Sequence, residues 1–444
     1  MESGMASGHA ESKAAAYLIL NLAAATVLLL FGPQMLREMK WLSQPSGPLV
    51  FHDFLQEWAS ARFYRDGLSL YTDQEVALRR YLGVERDRGQ PVFNQYTAHP
   101  PGAVLLALPL SWLSYERAFT VWDGALLSCL LLAIGLVGWH LRWRASVGKA
   151  LPLAALLVLY APLRQDLVQG QLNSFLLLLT VCAWVAGRRG RDCAAGMWLG
   201  VASSVKLFPV FLILPFLVQR RWKVLVGWAA ACAIGLGVTL AVFGLADHLT
   251  YVGDVLPHVR EYRSSWVNAS FYGFWSRLLD PGARGANVQP IQVHPSLALA
   301  TTVAACVLVS LLLAISVRRY AGASDDLALA ASVPAMLLVS PITWDHYFVL
   351  LLLSFWIWWH YAPGWVKPGL IVAYILVSLP IGWWWQLLLG VPVTTPGGQL
   401  AWVKHRATFG ELVTGIAVPH YLLLGWFVLG LTMLAVGKRR MPPT

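Results

Sequence analysis

Ala194-Ala195-Gly196-Met197-Trp198-Leu199-Gly200-Val201-Ala202-Ser203-Ser204-Val205-Lys206-Leu207-Phe208-Pro209-Val210-Phe211-Leu212-Ile213-Leu214-Pro215-Phe216-Leu217 is an apolar run with basic residues on both sides. Arg188, Arg189 and Arg191 precede it, and Arg220, Arg221 and Lys223 follow it. Lys and Arg collect on the cytoplasmic side of membrane segments, so both clusters belong there and the run between them must enter the membrane and return. Its 24 residues (194–217) are too few for two spans at about 20 each. Lys206 and Pro209 interrupt it, so a broken, re-entrant hairpin is expected, a form tolerated at membrane depth where it lines a cavity.

The rest of the chain extends this reading. Apolar residues make up 57% of the 444 and charged ones 12%, with mean hydropathy +0.59, against about 25% charged residues in soluble domains. The fold class is therefore an all-α polytopic membrane protein, one domain over 1–444, with about 10–12 transmembrane or re-entrant helices. Apolar runs lie at 14–32, 101–113, 119–141, 150–162, 171–187, 194–217, 224–244, 297–317, 327–340, 346–361, 369–390 and 418–437. The first reads as a retained span, not a cleaved signal, because it lacks a small-residue cleavage pattern. The net charge of +11 comes mostly from clusters at the ends of these runs, which argues against a nucleic-acid patch. Five cysteines without CxxC spacing give no sign of a metal site or a disulfide framework.

Counting spans makes 101–113, after Pro100-Pro101, a second incomplete helix. Segments 33–100, 164–170, 245–296, 341–345 and 391–417 then face outward and the C-terminus lies inside. The 33–100 loop carries eight Lys/Arg, which loops longer than about 60 residues tolerate. Within it, 55–64 and 73–82 have the spacing of amphipathic helices on the membrane surface.

The outward segments hold the residues that could carry chemistry. Asp53 stands among Phe51, Phe54, Leu55 and Trp58. Partial desolvation there raises carboxylate basicity and suits a general base acting on a sugar hydroxyl; an ordinary helix N-cap is the competing role. Tyr71 by itself reads as an interface anchor, the usual role of a tyrosine at a membrane boundary. Gln169-Gly170-Gln171-Leu172-Asn173 puts amides and a helix N-terminus at the outer face, suited to an anion or to plain capping by Asn173. Lys206 is costly inside an apolar run and marks a site by default, a cation placed to hold a phosphate. Asn268-Ala269-Ser270-Phe271-Tyr272-Gly273-Phe274-Trp275-Ser276-Arg277 adds another cation and aromatic faces for sugar rings, or packs as a lid. Ser340-Pro341-Ile342-Thr343-Trp344-Asp345-His346-Tyr347 places a carboxylate and an imidazole at the mouth of a span, where His346 could serve acid–base chemistry or phosphate binding.

Taken in order, Asp53 with Tyr71 downstream, His99-Pro100-Pro101, Gly170-Gln171-Leu172-Asn173, Gly196 to Pro209 with Gly200 and Lys206, Arg220-Arg221-Trp222, Asn268 to Gly273 and Ser340 to Tyr347 resemble glycosyltransferase family 87. The resemblance covers roughly residues 50–350, and the Gly170-to-Pro209 module is its most specific part. It implies the GT-C fold of polyprenyl-phosphate-mannose-dependent alpha-mannosyltransferases: a lipid-linked sugar donor entering from the bilayer, a glycolipid or glycan acceptor, and inverting transfer outside the cytoplasm of the plasma membrane. It further implies Asp53 as base, His346 as a second catalytic residue near the donor phosphate or acceptor, and Lys206 facing the phosphate. Gln171, Asn173, Asn268, Arg277, Tyr71 and Trp344 would line the donor site. Where the family often has Tyr before the Pro-Pro pair, this chain has His99, with Tyr96 three residues earlier.

No Asp-x-Asp pair of the kind that holds a metal for nucleotide sugars is present; Asp325-Asp326 is adjacent and cytoplasmic in this scheme. Neither a metal nor another cofactor is expected, because cations can stabilise a leaving phosphate directly. A transporter or flippase for lipid-linked sugars is the rival from another class, but transporters tend to show paired halves with matching broken helices, and no second half is visible. Arabinofuranose or glucose remain alternatives to mannose.

Overall fold

The structure, a computed structural model, describes residues 2–43, 53–84, 96–143, 147–282, 289–320, 325–389 and 408–438. Every regular element among them is helical, as a chain this apolar requires when its backbone must satisfy itself. Phe51, His52 and most of the 391–417 loop lie outside the described residues.

Helix α1 (Glu2–Ser43) continues through Pro33, so the first loop does not open there. Membrane helices tolerate a proline. Helices α2 (Asp53–Arg65) and α3 (Gln74–Leu82) fall where 55–64 and 73–82 were expected. The α2 helix is nevertheless a core helix rather than a surface one. Phe54 to Ala61 are all buried, Phe54 against Trp122 and Trp58 edge-on to Tyr115. Its polar face is satisfied inside the protein, with Ser60 Oγ donating to the Leu70 carbonyl at 2.7 Å.

Helix α4 (Pro101–Ala107), extended by a 3-10 turn over Leu108–Trp112, is the short helix expected at 101–113. Helix α5 (Tyr115–His140) is a full span. Helices α6 (Val147–Leu159) and α7 (Ala161–Gln169) bend by 70°. The expected 164–170 loop is therefore mostly helix, broken at Tyr160 because Pro162 cannot continue the α6 hydrogen bonds. Helix α8 (Asn173–Arg188) follows.

The 194–217 run forms the expected hairpin. Helix α9 (Asp192–Val205) stops at Lys206, whose backbone is extended (φ −139°, ψ 140°), and the chain resumes as a 3-10 turn over Phe208–Ile213 and helix α10 (Leu214–Val218). At 1.5 Å per residue α9 is about 21 Å long, short of the roughly 30 Å hydrocarbon core. The two ends of the hairpin meet: the Arg221 guanidinium donates to the Gly187 carbonyl at 3.1 Å and pairs with Asp192. Helix α11 (Trp222–Thr250) packs against α9 through glycines; a Cβ on Gly196 would lie 1.9 Å from the Val224 carbonyl oxygen, and one on Gly227 2.0 Å from that of Cys193. Small residues permit this close crossing of membrane helices. Gly102 of α4 meets the hairpin tip, where a Cβ would stand 2.2 Å from the Ser204 carbonyl oxygen.

Beyond a kink at Gly244 (φ 80°), α11 continues through a π turn, α12 (Leu256–Val259) and a 3-10 turn to Ser264. The expected 245–296 loop thus begins as helix and contains another, α13 (Phe271–Leu279). Helices α14 (Pro295–Arg319), α15 (Asp325–Val339) and α16 (Leu351–Tyr361) follow. The 369–390 run is two helices, α17 (Lys367–Ser378) and α18 (Ile381–Leu389), bent by 85°, because Pro380 pushes Leu379 into extended backbone. A short α19 (Phe409–Glu411) leads into α20 (Val418–Lys438).

Among the described residues, five helical stretches are long and apolar enough to cross a bilayer, and the two bent pairs raise that to seven. The expected ten or more is reached only with the short apolar helices Pro101–Trp112, Asn173–Arg188 and Phe208–Val218. The bundle has two distinct ends. One joins Arg188 to Asp326 at 3.5 Å and Arg221 to Asp325 at 2.7 Å. Since α8 runs from Asn173 to Arg188, the other lies about 24 Å away.

Candidate active site

That other end gathers the start of α2, the Gly170-Gln171 turn, the hairpin break at Lys206 and the 3-10 turn Asp345–Leu350. Asp53 is the first residue of α2, where the helix dipole favours a carboxylate. Its Oδ1 accepts from Gln56 Nε2 at 2.9 Å and its Oδ2 from Gln171 Nε2 at 2.5 Å. The side chain keeps partial exposure. Burial pushes its carboxyl above the ordinary carboxylate range and Glu57 adds to this, while His346, the Gln171 hydrogen bond and His99 pull it back.

Gly170 ends α7 in the left-handed region (φ 64°) and turns the chain so that Gln171 faces α2. The carbonyl oxygen of the Gln171 side chain accepts from Lys206 Nζ at 2.7 Å. Lys206 is buried and lies 4.5 Å from the centre of the Tyr347 ring, a cation–π contact. His346 is buried too. Its Nδ1 stands 3.5 Å from Asp345 Oδ1, and neither ring nitrogen has a hydrogen-bond partner among the described residues. Two polar atoms left open beside Asp53 are what a ligand-binding imidazole would present.

Other expected residues stand one layer back. Asn173 donates from Nδ2 to Asp166 Oδ1 at 2.8 Å; the same buried carboxylate accepts from the Asn173 and Ser174 backbone N–H groups and from Ser174 Oγ. Asp166 thereby caps α8. Tyr71 donates to the His99 carbonyl at 3.2 Å and stacks on Tyr251, and burial pushes its phenol above the usual range. Asn268 accepts from the Thr343 N–H at 2.9 Å and donates to the Pro341 carbonyl at 3.1 Å, pinning the segment that leads to Trp344 and His346. Trp344 meets Tyr262 edge-on. Arg277, pushed down to about 9 by burial, donates from Nη1 to the Ser265 and Asn268 carbonyls, and among the described residues no hydrogen bond joins it to Asp53 or Lys206.

The structure adds residues that the sequence reading passed over. Gln56 links Asp53 to the Ala98 N–H, accepting at 3.0 Å. Buried Glu57 pairs with His99 Nδ1. Both lie three and four residues after Asp53, the spacing that shares a helix face, and that was the available signal. The Asp247 carboxylate accepts from Ser69 Oγ at 2.6 Å and the Leu70 N–H at 3.2 Å, tying the long α11 to the segment after α2. No group of three or more His, Cys, Asp or Glu side chains is placed to share a metal ion among the described residues.

The model for glycosyltransferase family 87 matches residues 96–341, a stretch that holds Gln171, Asn173, Lys206, Asn268 and Arg277, with Asp53, Tyr71, Trp344 and His346 outside it. The chain is 26% identical over 309 residues, 68% of either chain, to the polyprenol-phosphate-mannose-dependent alpha-(1-2)-phosphatidylinositol pentamannoside mannosyltransferase of Mycolicibacterium smegmatis. It is 27% identical to the enzyme of that name from Mycobacterium tuberculosis, over 79% of this chain and 77% of the relative. An alpha-(1->3)-arabinofuranosyltransferase of Corynebacterium glutamicum is 27% identical over 44% of this chain and 48% of its own. No solved structure gives a significant match. With the family model covering more than half of its residues, the chain belongs to glycosyltransferase family 87 and is a membrane glycosyltransferase.

Proposed function

We propose that the protein moves a hexose, with mannose first in line, from a polyprenyl-phosphate donor to a lipid-linked or glycan acceptor, inverting the anomeric carbon, with Asp53 as general base. The observation that carries this is the linkage of Asp53 to Lys206 through Gln171: a base and a cation in one site, beside the open imidazole of His346. Asp53 takes the proton of an acceptor hydroxyl as its oxygen attacks the anomeric carbon, and the bond from that carbon to the phosphate oxygen breaks. Charge developing on the leaving phosphate is met by Lys206 and His346, preorganised donors of the kind that supply much of enzymatic rate enhancement. This role needs no metal or further cofactor. Gln171, Asn173, Asn268, Arg277 and Tyr71 act in it by holding Asp53, Lys206 and the His346 segment, while Trp344 offers a ring near the donor.

Basic residues favour the cytoplasmic side, and the site lies at the end of the bundle opposite Arg188 and Arg221. That supports an extracytoplasmic active site in the cell membrane. Mannose is favoured by the relatives named for polyprenol-phosphate-mannose; arabinofuranose is the second reading, favoured by the shorter matches to arabinofuranosyltransferases. A donor screen decides: membranes containing the protein are offered radiolabelled polyprenyl-phosphate mannose, arabinofuranose and glucose. Label passing to a glycolipid from mannose alone is the expected result. Transfer only from another sugar would reassign the donor, and import of intact donor without transfer would favour a flippase.

A further inference from the structure

We propose that Gln171 is a positioning residue whose amide holds the Asp53 carboxylate and the Lys206 ammonium apart, so that base and cation remain separately available instead of closing onto each other as an ion pair. The inference rests on the reading of Asp53 as base and Lys206 as phosphate cation.

The amide spans the gap with both ends used. Nε2 donates to Asp53 Oδ2 at 2.5 Å, and Oε1 accepts from Lys206 Nζ at 2.7 Å. Only this orientation is chemically consistent, because a carboxylate can only accept and an ammonium can only donate. Among the described residues no ion pair joins Asp53 to Lys206, whose Nζ meets Gln171 instead. The spacer is fixed in place. Gln171 is buried, and its backbone N–H donates to the Asp166 carbonyl at 2.8 Å. The alternative to this arrangement is damaging on both sides. A direct ion pair favours the charged carboxylate and lowers its basicity, and it occupies the ammonium that would otherwise receive a phosphate. An amide carries a donor on one end and an acceptor on the other without titrating, and asparagine is one methylene shorter.

Asp53 is faced by other titratable groups: Glu57 on its own helix, His99 from the segment before α4, His346 and Tyr347 from the 3-10 turn, and Tyr115 from α5. Two variants at position 171 separate the spacer from this background by sign. In Gln171→Ala the Asp53 carboxylate loses the amide hydrogen bond that pulls it down, but Lys206 closes on it, and a charged donor holds a carboxylate about twice as strongly as a neutral one, so the acid limb of the kcat/KM profile moves to lower pH, by about one unit for each tenfold gain in carboxylate stability. In Gln171→Glu the new carboxylate repels Asp53 and takes Lys206, so the limb moves to higher pH. Both variants lose kcat by more than roughly tenfold with a smaller change in donor KM, the pattern of an interaction that serves the transition state.

The direct measurement does not depend on activity. The carboxyl infrared band of Asp53, identified by its loss in Asp53→Asn, is titrated in the purified, substrate-free protein, with elution on size exclusion confirming that each variant is folded. Opposite shifts of this band in Gln171→Ala and Gln171→Glu are expected. Shifts in the same direction, or an unmoved band in both folded variants, would overturn the spacer, whatever their kinetics. Retention of transfer by Asp53→Asn would instead defeat the base assignment, leaving the infrared result to decide the spacer on its own.

Discussion

Gly170 lies directly against Phe54: a Cβ built on Gly170 would fall 2.7 Å from the Phe54 Cβ, at a backbone φ of +64°. The residues next to them are Gln171 and Asp53. This one contact therefore sets how closely the amide approaches the carboxylate. Gly170→Ala adds a strained left-handed conformation and a steric overlap, together worth about 1–3 kcal/mol. The variant is expected to melt earlier in detergent and to lose transfer by more than its loss of folded protein explains, since a displacement near 1 Å can cost roughly a hundredfold. Unchanged transfer at unchanged stability would show that the close approach is incidental.

The Glu57–His99 pair predicts a second pH effect. The negative charge of Glu57 helps to keep the Asp53 carboxyl raised. Removing it in Glu57→Gln favours the ionised form, so the acid limb of kcat/KM should move to lower pH. The shift also makes Asp53 a weaker base, and turnover at neutral pH should fall. A limb that moves upward would mean that Glu57 acts on the site only through His99.

Lys206 gives a separation between fold and chemistry. A buried cation is expensive in an apolar setting, so Lys206→Met should fold at least as well as the parent. Transfer should nonetheless fall about a hundredfold or more, the size typical for loss of one preorganised charge stabiliser. Thermal melting and initial rates on the same preparation check both halves, and a Met variant with near-normal turnover would remove Lys206 from the phosphate site.

How much of this was legible in the sequence depends on range. The hairpin could be read because Arg188 to Arg191 and Arg220 to Lys223 are local charge signals, and the structure closes their ends through Arg221, Gly187 and Asp192. The short helix after Pro100-Pro101 was legible for the same reason. The burial of α2 was not, because an amphipathic pattern does not say whether its polar face meets water or other buried polar groups such as Leu70 O and Ala98 N. Nor was the role of Asp166, which lies in a stretch of mixed polarity and caps α8 from seven residues upstream. The bends at Tyr160 and Leu379 were hidden because a proline within an apolar run is compatible with a continuous membrane helix. For the site, residue types were visible at Asp53, Gln171, Lys206 and His346. The bridging of the first three through one amide is a tertiary contact over more than a hundred residues and has no local signature.

The central claim is that Asp53 is the base, and initial rates of transfer by purified Asp53→Asn protein from the donor sugar identified by the screen test it most directly. Asparagine keeps the size, and its one side-chain oxygen can still accept from Gln56 or Gln171, so the fold and donor binding should survive. Transfer should fall at least about a thousandfold, in keeping with the loss of a positioned general base. Transfer at the parental rate by the folded variant would contradict the account.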